Sequence, residues 1–436
     1  MLLKSTLIAM LSLLLFLSGK AQVWNEFLSF KIDQYYTNVK NKPDSLNKLS
    51  CELIASKLKD GEVFIDFLEP FGDEAKVFLI IIVRKGVDPV IIDIPVLAEA
   101  AAKPISSGAG LEEQLSRGTI TLSKANESAR SYYDYKNLLA FIEPYFKNSK
   151  TIFYSTTGAL NFVNLKHLKN PDGKFLFEEY EMIRLHTAAS FLQQKQRLFL
   201  PEKLSVLMLG DVNYDCPVGE PGSQPAEYRK IWEKLPGSKK EIAAIRSLLG
   251  KNVSVEILDS CKATEQNFVA KVNNSRFDII HLATHGFYFK GANPLFALRE
   301  DAYVLERSGI VLSGANHPKT TTAPFDQKGM FTALDFINMD FRKTGLFVLS
   351  TCHSGEGSNL HSGPPVGLTL ALLRNLVNAM ILSNRAVPDA ETSMFMTTLY
   401  KYINTNRNVD ECFTKMLREL HSTYPMKDWS FFDLVH

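Results

Sequence analysis

Phe347-Val-Leu-Ser-Thr-Cys352-His-Ser-Gly-Glu-Gly357 joins an apolar run to a string of small and polar residues, and this junction decides the fold. Leu346 to Leu349 reads as a buried strand, and the Ser, Thr and Gly residues after it cannot continue a sheet interior. Cys352 therefore falls just past a strand end. About 67 residues earlier, Phe277-Asp-Ile-Ile-His281-Leu-Ala-Thr-His285-Gly286 has the same build, so a second strand ends beside an imidazole. Ligands of open α/β sheets bind in the crevice beyond the carboxyl ends of the strands, which is where this thiol and imidazole are delivered. A single cysteine is more often a small core residue. The glycine that follows each residue within three positions argues for a catalytic pair instead, because a core side chain needs no flexible loop after it.

Outward from these two stretches, strands and helices alternate. Apolar strands fit Thr151–Tyr154, Met182–Leu185, Ser205–Leu209, Val253–Leu258, Asp278–Leu282, Leu346–Leu349 and Ala379–Leu382. Helical spacing fits Gly237–Leu249, Thr264–Asn273, Gly367–Leu376, Ala390–Ile403 and Val409–Leu420. The alternation predicts a mostly parallel sheet covered by helices on both faces. Ahead of it, the runs Glu62–Leu68, Lys76–Val83 and Pro89–Val96 with turn residues between them predict a small antiparallel β-meander. Ser45–Leu58 reads as a helix, and a long helix is expected over Glu127–Phe146. The segment 100–110 reads as a surface loop, and Asn213–Pro236, rich in Pro and Gly from Pro217 to Pro225, as an exposed insertion. Tyr303–Ser313 is hairpin-like, and with the loop 314–329 it is placed to form a cleft wall.

The chain has 436 residues, 45% of them apolar and 22% charged, an ordinary globular composition with room for two or three units. At the N-terminus, Lys4 precedes an apolar stretch from Ser5 to Ser18, and Gly19-Lys20-Ala21 supplies small residues for signal-peptidase cleavage after Ala21. Fourteen residues fall short of a membrane span. The expected division is thus a signal peptide (1–21), a helical segment (22–60), a region with the meander and helix (61–200) and a catalytic core (201–436). The protein is expected to be exported, to the periplasm or outside the cell. Cleavage would remove two lysines from a balance of 49 basic against 47 acidic residues, leaving a neutral chain without a basic run. Nucleic acid and, after cleavage, membrane are not expected as partners. The five cysteines are widely spaced and odd in number, so no disulfide scaffold is expected and at least one thiol stays free for chemistry.

The ordered series Asp60-Gly-Glu-Val-Phe-Ile-Asp-Phe, Tyr154-Ser-Thr-Thr-Gly, Phe177-Glu-Glu-Tyr-Glu, Leu235-Pro-Gly-Ser, His281-Leu-Ala-Thr-His-Gly, Leu349-Ser-Thr-Cys-His-Ser-Gly, Val366-Gly-Leu and Trp429-Ser-Phe-Phe resembles the CHAT family of caspase-like peptidases. The resemblance covers about residues 50 to 436, without the TPR repeats usual in that family. It implies a caspase-like α/β fold and a cysteine endopeptidase whose dyad maps onto His285 and Cys352. His353 stands where the family commonly has Glu. Ser350 stands where the similar metacaspases carry Asp, and Ser383-Asn-Arg-Ala-Val-Pro-Asp389 has lost a tryptophan and an acid of the corresponding family stretch.

In this chemistry Cys352 attacks the peptide carbonyl to form a thioester and His285 serves as acid and base. The backbone N–H groups of Gly286 and Cys352 are the expected oxyanion hole. Ser350, His353 and Arg385 are candidates for the substrate pocket, with Arg385 suited to an acidic side chain in the P1 position. No cofactor or metal is called for. His281 and His285 lack the helix and the Glu of a His-Glu-x-x-His zinc site, and no Gly-Lys-Ser/Thr accompanies Gly355, Gly357 and Gly363. The expected partner is a protein or peptide substrate. The alternative is a non-catalytic scaffold that docks a partner. Hydrolysis against transpeptidation, the P1 preference, the mode of activation and the oligomeric state stay open at the level of sequence.

Overall fold

The computed structural model describes residues 46–68, 77–95, 133–193, 197–217, 232–288, 304–317, 329–351, 367–375, 377–385 and 387–436. The expected signal peptide, the segment 22–45, the loop 100–110, Cys352 and His353 lie outside the described residues. Eleven strands form one sheet. From edge to edge they are β3 (Val87–Pro95), β2 (Val77–Arg84), β1 (Glu62–Leu68), β4 (Thr151–Thr156), β5 (Glu181–Leu185), β14 (Phe432–Val435), β13 (Ala379–Ser383), β12 (Leu346–Leu349), β8 (Ile279–Leu282), β6 (Leu204–Val212) and β7 (Val253–Ser260).

From β13 to β7 every neighbouring pair is parallel. So are the pairs from β1 through β4 and β5 to β14. Because β14 is antiparallel to β13, the two halves of the sheet run in opposite directions and meet there. The central strands β8, β12 and β13 are buried throughout, as apolar runs covered on both faces must be. The expected meander is present, β1 to β2 to β3 antiparallel, but it is the outer edge of the same sheet.

Alternate residues of each strand feed opposite cores. Val206, Met208, Ile279, Val348 and Ile381 pack under helices α5 (Pro236–Leu248), α9 (Asp389–Thr405) and α10 (Val409–Thr423). Leu207, Leu209, Ile280, Leu282 and Leu349 face α6 (Glu265–Asn274), α7 (Ala333–Ile337) and α8 (Leu368–Arg374). In the other half, Phe64 and Phe153 pack with α1 (Leu46–Lys57) and α4 (Ala188–Gln193), whereas Val63 and Ile152 face α2 (Glu143–Phe146) and α3 (Leu176–Glu179). A second, three-stranded antiparallel sheet is built from β9 (Gly286–Tyr288), β10 (Ser308–Val311) and β11 (Met330–Thr332).

Two expectations are corrected, the long helix and the exposure of the insertion. The long helix over 127–146 is, where described, a 3₁₀ turn at Leu139–Phe141 followed by α2. Pro144 opens that helix, and a proline ring has no N–H to continue one from upstream. The ends of the 213–236 insertion are not exposed: Tyr214, Cys216 and Trp232 are buried. Cys216 and Cys261 form a disulfide across 45 residues, because the parallel pair β6/β7 brings their following turns together. Cys51 and Cys412 are free and buried.

Candidate active site

The β8/β12 ladder pairs Ile279 with Leu346 and, at its carboxyl end, Leu282 with Leu349. In sequence, His285 and Cys352 each follow that last pair by three residues, and the two strands they follow, β8 and β12, are neighbouring and parallel. β8 and β12 are thus neighbours in matched parallel register; the Cys352 thiol lies outside the described residues.

His285 is described in full, and it is held from several sides. Its Nε2 lies 2.8 Å from the carbonyl oxygen of Glu233. A carbonyl only accepts, so Nε2 carries the proton and Nδ1 is the unprotonated nitrogen of the neutral ring. The backbone N–H of His285 donates to the Tyr214 hydroxyl at 3.3 Å. That hydroxyl donates in turn to Thr284 Oγ1 at 2.8 Å, whose own proton goes to the Val311 carbonyl. The rings of Tyr214 and Trp232 flank the imidazole at 5.2 and 5.4 Å between centroids. Burial lowers the His285 pKa, against the Glu233 carbonyl and the Asp389 charge, which raise it. The ring is thus neutral near pH 7 and able to take up a proton. Burial also raises the Tyr214 pKa well above the ordinary phenol range, so it acts as a neutral hydrogen-bonding group.

Tyr214 reaches this position because β6 ends in a bulge. The register against β7 shifts between Gly210 and Val212, and Asp211 adopts a left-handed conformation at φ 50°. Such a conformation is costly for a non-glycine residue and bends the strand, a device frequent beside active sites.

The sequence model of the CHAT domain matches residues 135–435, more than half of the chain. The chain belongs to the CHAT family. CHAT domains have a caspase-like cysteine peptidase fold, and the mostly parallel, helix-flanked sheet of this CHAT chain agrees with it. Among solved structures, separase in the Saccharomyces cerevisiae separase–securin complex aligns at 12% identity and a TM-score of 0.38, over 69% of this chain and 17% of the separase chain. The Arg-specific cysteine proteinase gingipain R aligns at 9% identity and a TM-score of 0.38, over 74% of this chain and 72% of that one. This CHAT chain therefore spans only 17% of the length of the separase it matches. None of the curated proteins matches its sequence.

The other expected site residues of the CHAT chain are distributed around this edge. Gly286 opens β9 opposite Ile310. The Val311 N–H donates to the His285 carbonyl, so Gly286 and Ile310 form a non-hydrogen-bonded pair and the Gly286 N–H turns away from β10. Ser350 is buried and its hydroxyl has no hydrogen-bond partner. Arg385 is engaged: its guanidinium pairs with the Asp428 carboxylate, donates to Ser430 Oγ at 3.0 Å and lies over the Phe431 ring. Although burial raises the Asp428 pKa, hydrogen bonds from Ser430 and Arg385 bring it down to about 2. His281 points into the core, with Nε2 2.7 Å from Glu241 and Nδ1 3.2 Å from the Tyr400 hydroxyl. Among the described residues no group of three His, Cys, Asp or Glu side chains is placed to hold a metal ion.

Sequence reasoning missed Tyr214, Trp232, the Glu233 carbonyl and Thr284. The signal available for Trp232 is its residue type: it is one of three tryptophans, and a solvated loop does not need one. The Glu233 carbonyl carried no signal, since a backbone group has no residue type.

Proposed function

We propose that this chain is an exported cysteine endopeptidase in which Cys352 and His285 form the catalytic dyad. The observation that carries the reading is the β8/β12 register, with both residues three positions past the Leu282–Leu349 pair. The neutral His285 ring, with Nε2–H spent on Glu233, leaves Nδ1 to take the thiol proton. The Cys352 sulfur then bonds to the substrate carbonyl carbon, and the oxyanion is received by the N–H groups of Gly286 and Cys352. His285 returns its proton to the leaving nitrogen as the C–N bond breaks and the thioester forms. Water attacks the thioester, giving a proton to His285, and the thiolate departs. The geometry of Gly286, whose N–H is not used by the β9/β10 pair, supports its part.

Export is supported by the apolar N-terminal stretch and by the Cys216–Cys261 disulfide, a bond that persists in oxidising compartments. No helix among the described residues is long and apolar enough to cross a membrane. For the pocket, Arg385 together with Ser350 and His353 remains the proposed set. An acidic P1 side chain would have to compete with Asp428 for the Arg385 guanidinium. The test is cleavage of a peptide library by the chain from Gln22, beside Cys352→Ala. Cutting that disappears in the variant is the expected result; cutting that survives it would overturn the dyad.

A further inference from the structure

We propose that Asn316 is a positioning residue for His285, one side chain that fixes the Trp232 backbone, and with it the flanking indole and the Glu233 carbonyl that holds the imidazole Nε2–H. This inference rests on the peptidase reading above for its kinetic consequences, but its geometric content concerns His285 alone. Asn316 is fully buried, far in sequence from Tyr214, Asp215 and Trp232. Its Oδ1 accepts from the Trp232 N–H at 2.8 Å, and its Nδ2 donates to the Trp232 carbonyl at 2.9 Å and to Asp215 Oδ1 at 2.6 Å. Its backbone N–H donates to the Tyr214 carbonyl at 3.0 Å.

The paired bonds to Trp232 use the side-chain amide as a strand would use its backbone. They set the direction of the chain one residue before the Glu233 carbonyl. The far end of that turn is held separately. The Gly237 N–H donates to Asp389 Oδ2 at 2.5 Å, and a Cβ at position 237 would lie 2.3 Å from the Asp389 carboxyl carbon, so only glycine admits this contact. The segment 232–237 is thus clamped by Asn316 at one end and by Asp389 at the other, with the acceptor for His285 between them. The backbone N–H of position 316, which every variant keeps, separately holds the Tyr214 carbonyl, and the Tyr214 hydroxyl receives the His285 N–H. No other residue type of this size offers one acceptor and two donors in a single plane. Aspartate would keep the acceptor and turn both donor contacts into repulsions between oxygens.

The test uses the full chain from Gln22 and its Asn316→Ala and Asn316→Asp variants. A matched control is Asn375→Ala, another buried asparagine, which donates to the Phe336 and Ala371 carbonyls away from the site. The first readout is the exchange-protected imidazole Nε2–H resonance of His285, assigned by its loss in His285→Ala. It is expected to disappear or shift upfield in both Asn316 variants and to stay in the control. The second readout is the kinetic split and pH profile of Cys352-dependent cleavage. A displacement of about 1 Å at the acid/base predicts a fall in kcat of about 10- to 100-fold with KM within about threefold, and a moved pH optimum. An unchanged Nε2–H resonance in either variant that folds would overturn the proposal, as would a control that behaves in the same way. If no chain cleaves peptide, the peptidase reading falls while the resonance still decides the role of Asn316. Should Asn316→Ala fail to fold, Asn316→Asp, which keeps the volume and the acceptor, decides.

Discussion

The two halves of the sheet repeat one strand order in opposite directions. Outward from the β14/β13 junction, β5, β4, β1 and β2 on one side correspond to β12, β8, β6 and β7 on the other. Past the ends of β8 and β12 lie His285 and Cys352; past the ends of β4 and β5 lie Thr157 and His186. The difference is in what surrounds them. In the first half, Thr157 donates twice to the Phe67 carbonyl and His186 is buried, its pKa well below the ordinary range for that reason. Beside them the Asp433 carboxylate is shared by Lys166 and Arg184, and Arg184 also donates to Thr156 Oγ1 and the Asn161 carbonyl. One half spends its polar groups on holding the sheet together. The other leaves an imidazole partly exposed, with one nitrogen unprotonated.

The largest expected effect separates the halves directly. His285→Ala should lower cleavage by about 10²- to 10⁴-fold while moving the urea midpoint little; a variant that loses stability without loss of rate would place His285 on the structural side. Asp433→Ala should do the reverse. It strands Lys166 and Arg184 in the interior, and breaking a buried pair in this way costs about 3–5 kcal/mol, read from urea unfolding with kcat per folded molecule retained.

Asp66 sharpens the comparison in the opposite sense. Burial raises its pKa to about 6, with partial relief from the Ser155 hydroxyl. The folded state therefore binds a proton more readily than the unfolded chain, and stability falls as pH rises through the window from the ordinary carboxylate range to about 6. Asp66→Asn keeps the Ser155 contact and should gain about 1–3 kcal/mol at pH 7 and nothing near pH 4. Equal midpoints at both pH values would count against it. The smallest effect is expected at His167, which packs against Phe175, Phe177 and His421 with neither ring nitrogen hydrogen-bonded. Burial and the neighbouring His421 lower its pKa to about 3. The unfolded chain takes up that proton first as pH falls below about 6.5, so stability is lost on acidification. His167→Phe should remove about 1–2 kcal/mol of the loss between pH 6.5 and 5, measured as the difference in urea midpoints.

Much of the architecture was legible because buried parallel strands must be apolar on both faces. Leu346–Leu349 and Asp278–Leu282 announced themselves as runs, and the ends of those runs located the candidate dyad. β14 was not legible. Phe431-Phe432-Asp433-Leu434 contains a buried acid that interrupts the run, and only its pairing with Lys166 and Arg184 allows it in a central strand. The helix expected before Phe146 failed on Pro144, where local chemistry outweighed periodicity. The short strands β9 and β11, three residues each, are too brief for any pattern.

The sequence by itself determined the α/β class, the order of the elements and the two strand ends that carry His285 and Cys352, since each follows from local periodicity and residue type. Only the tertiary structure decided that β8 and β12 are neighbours in matched register, that Cys216 meets Cys261, that Arg385 is taken by Asp428, and that His285 rests on the carbonyl of Glu233 under the hold of Asn316. Those contacts join positions 43 to 84 residues apart, several through backbone groups common to every residue, so no local pattern encodes them.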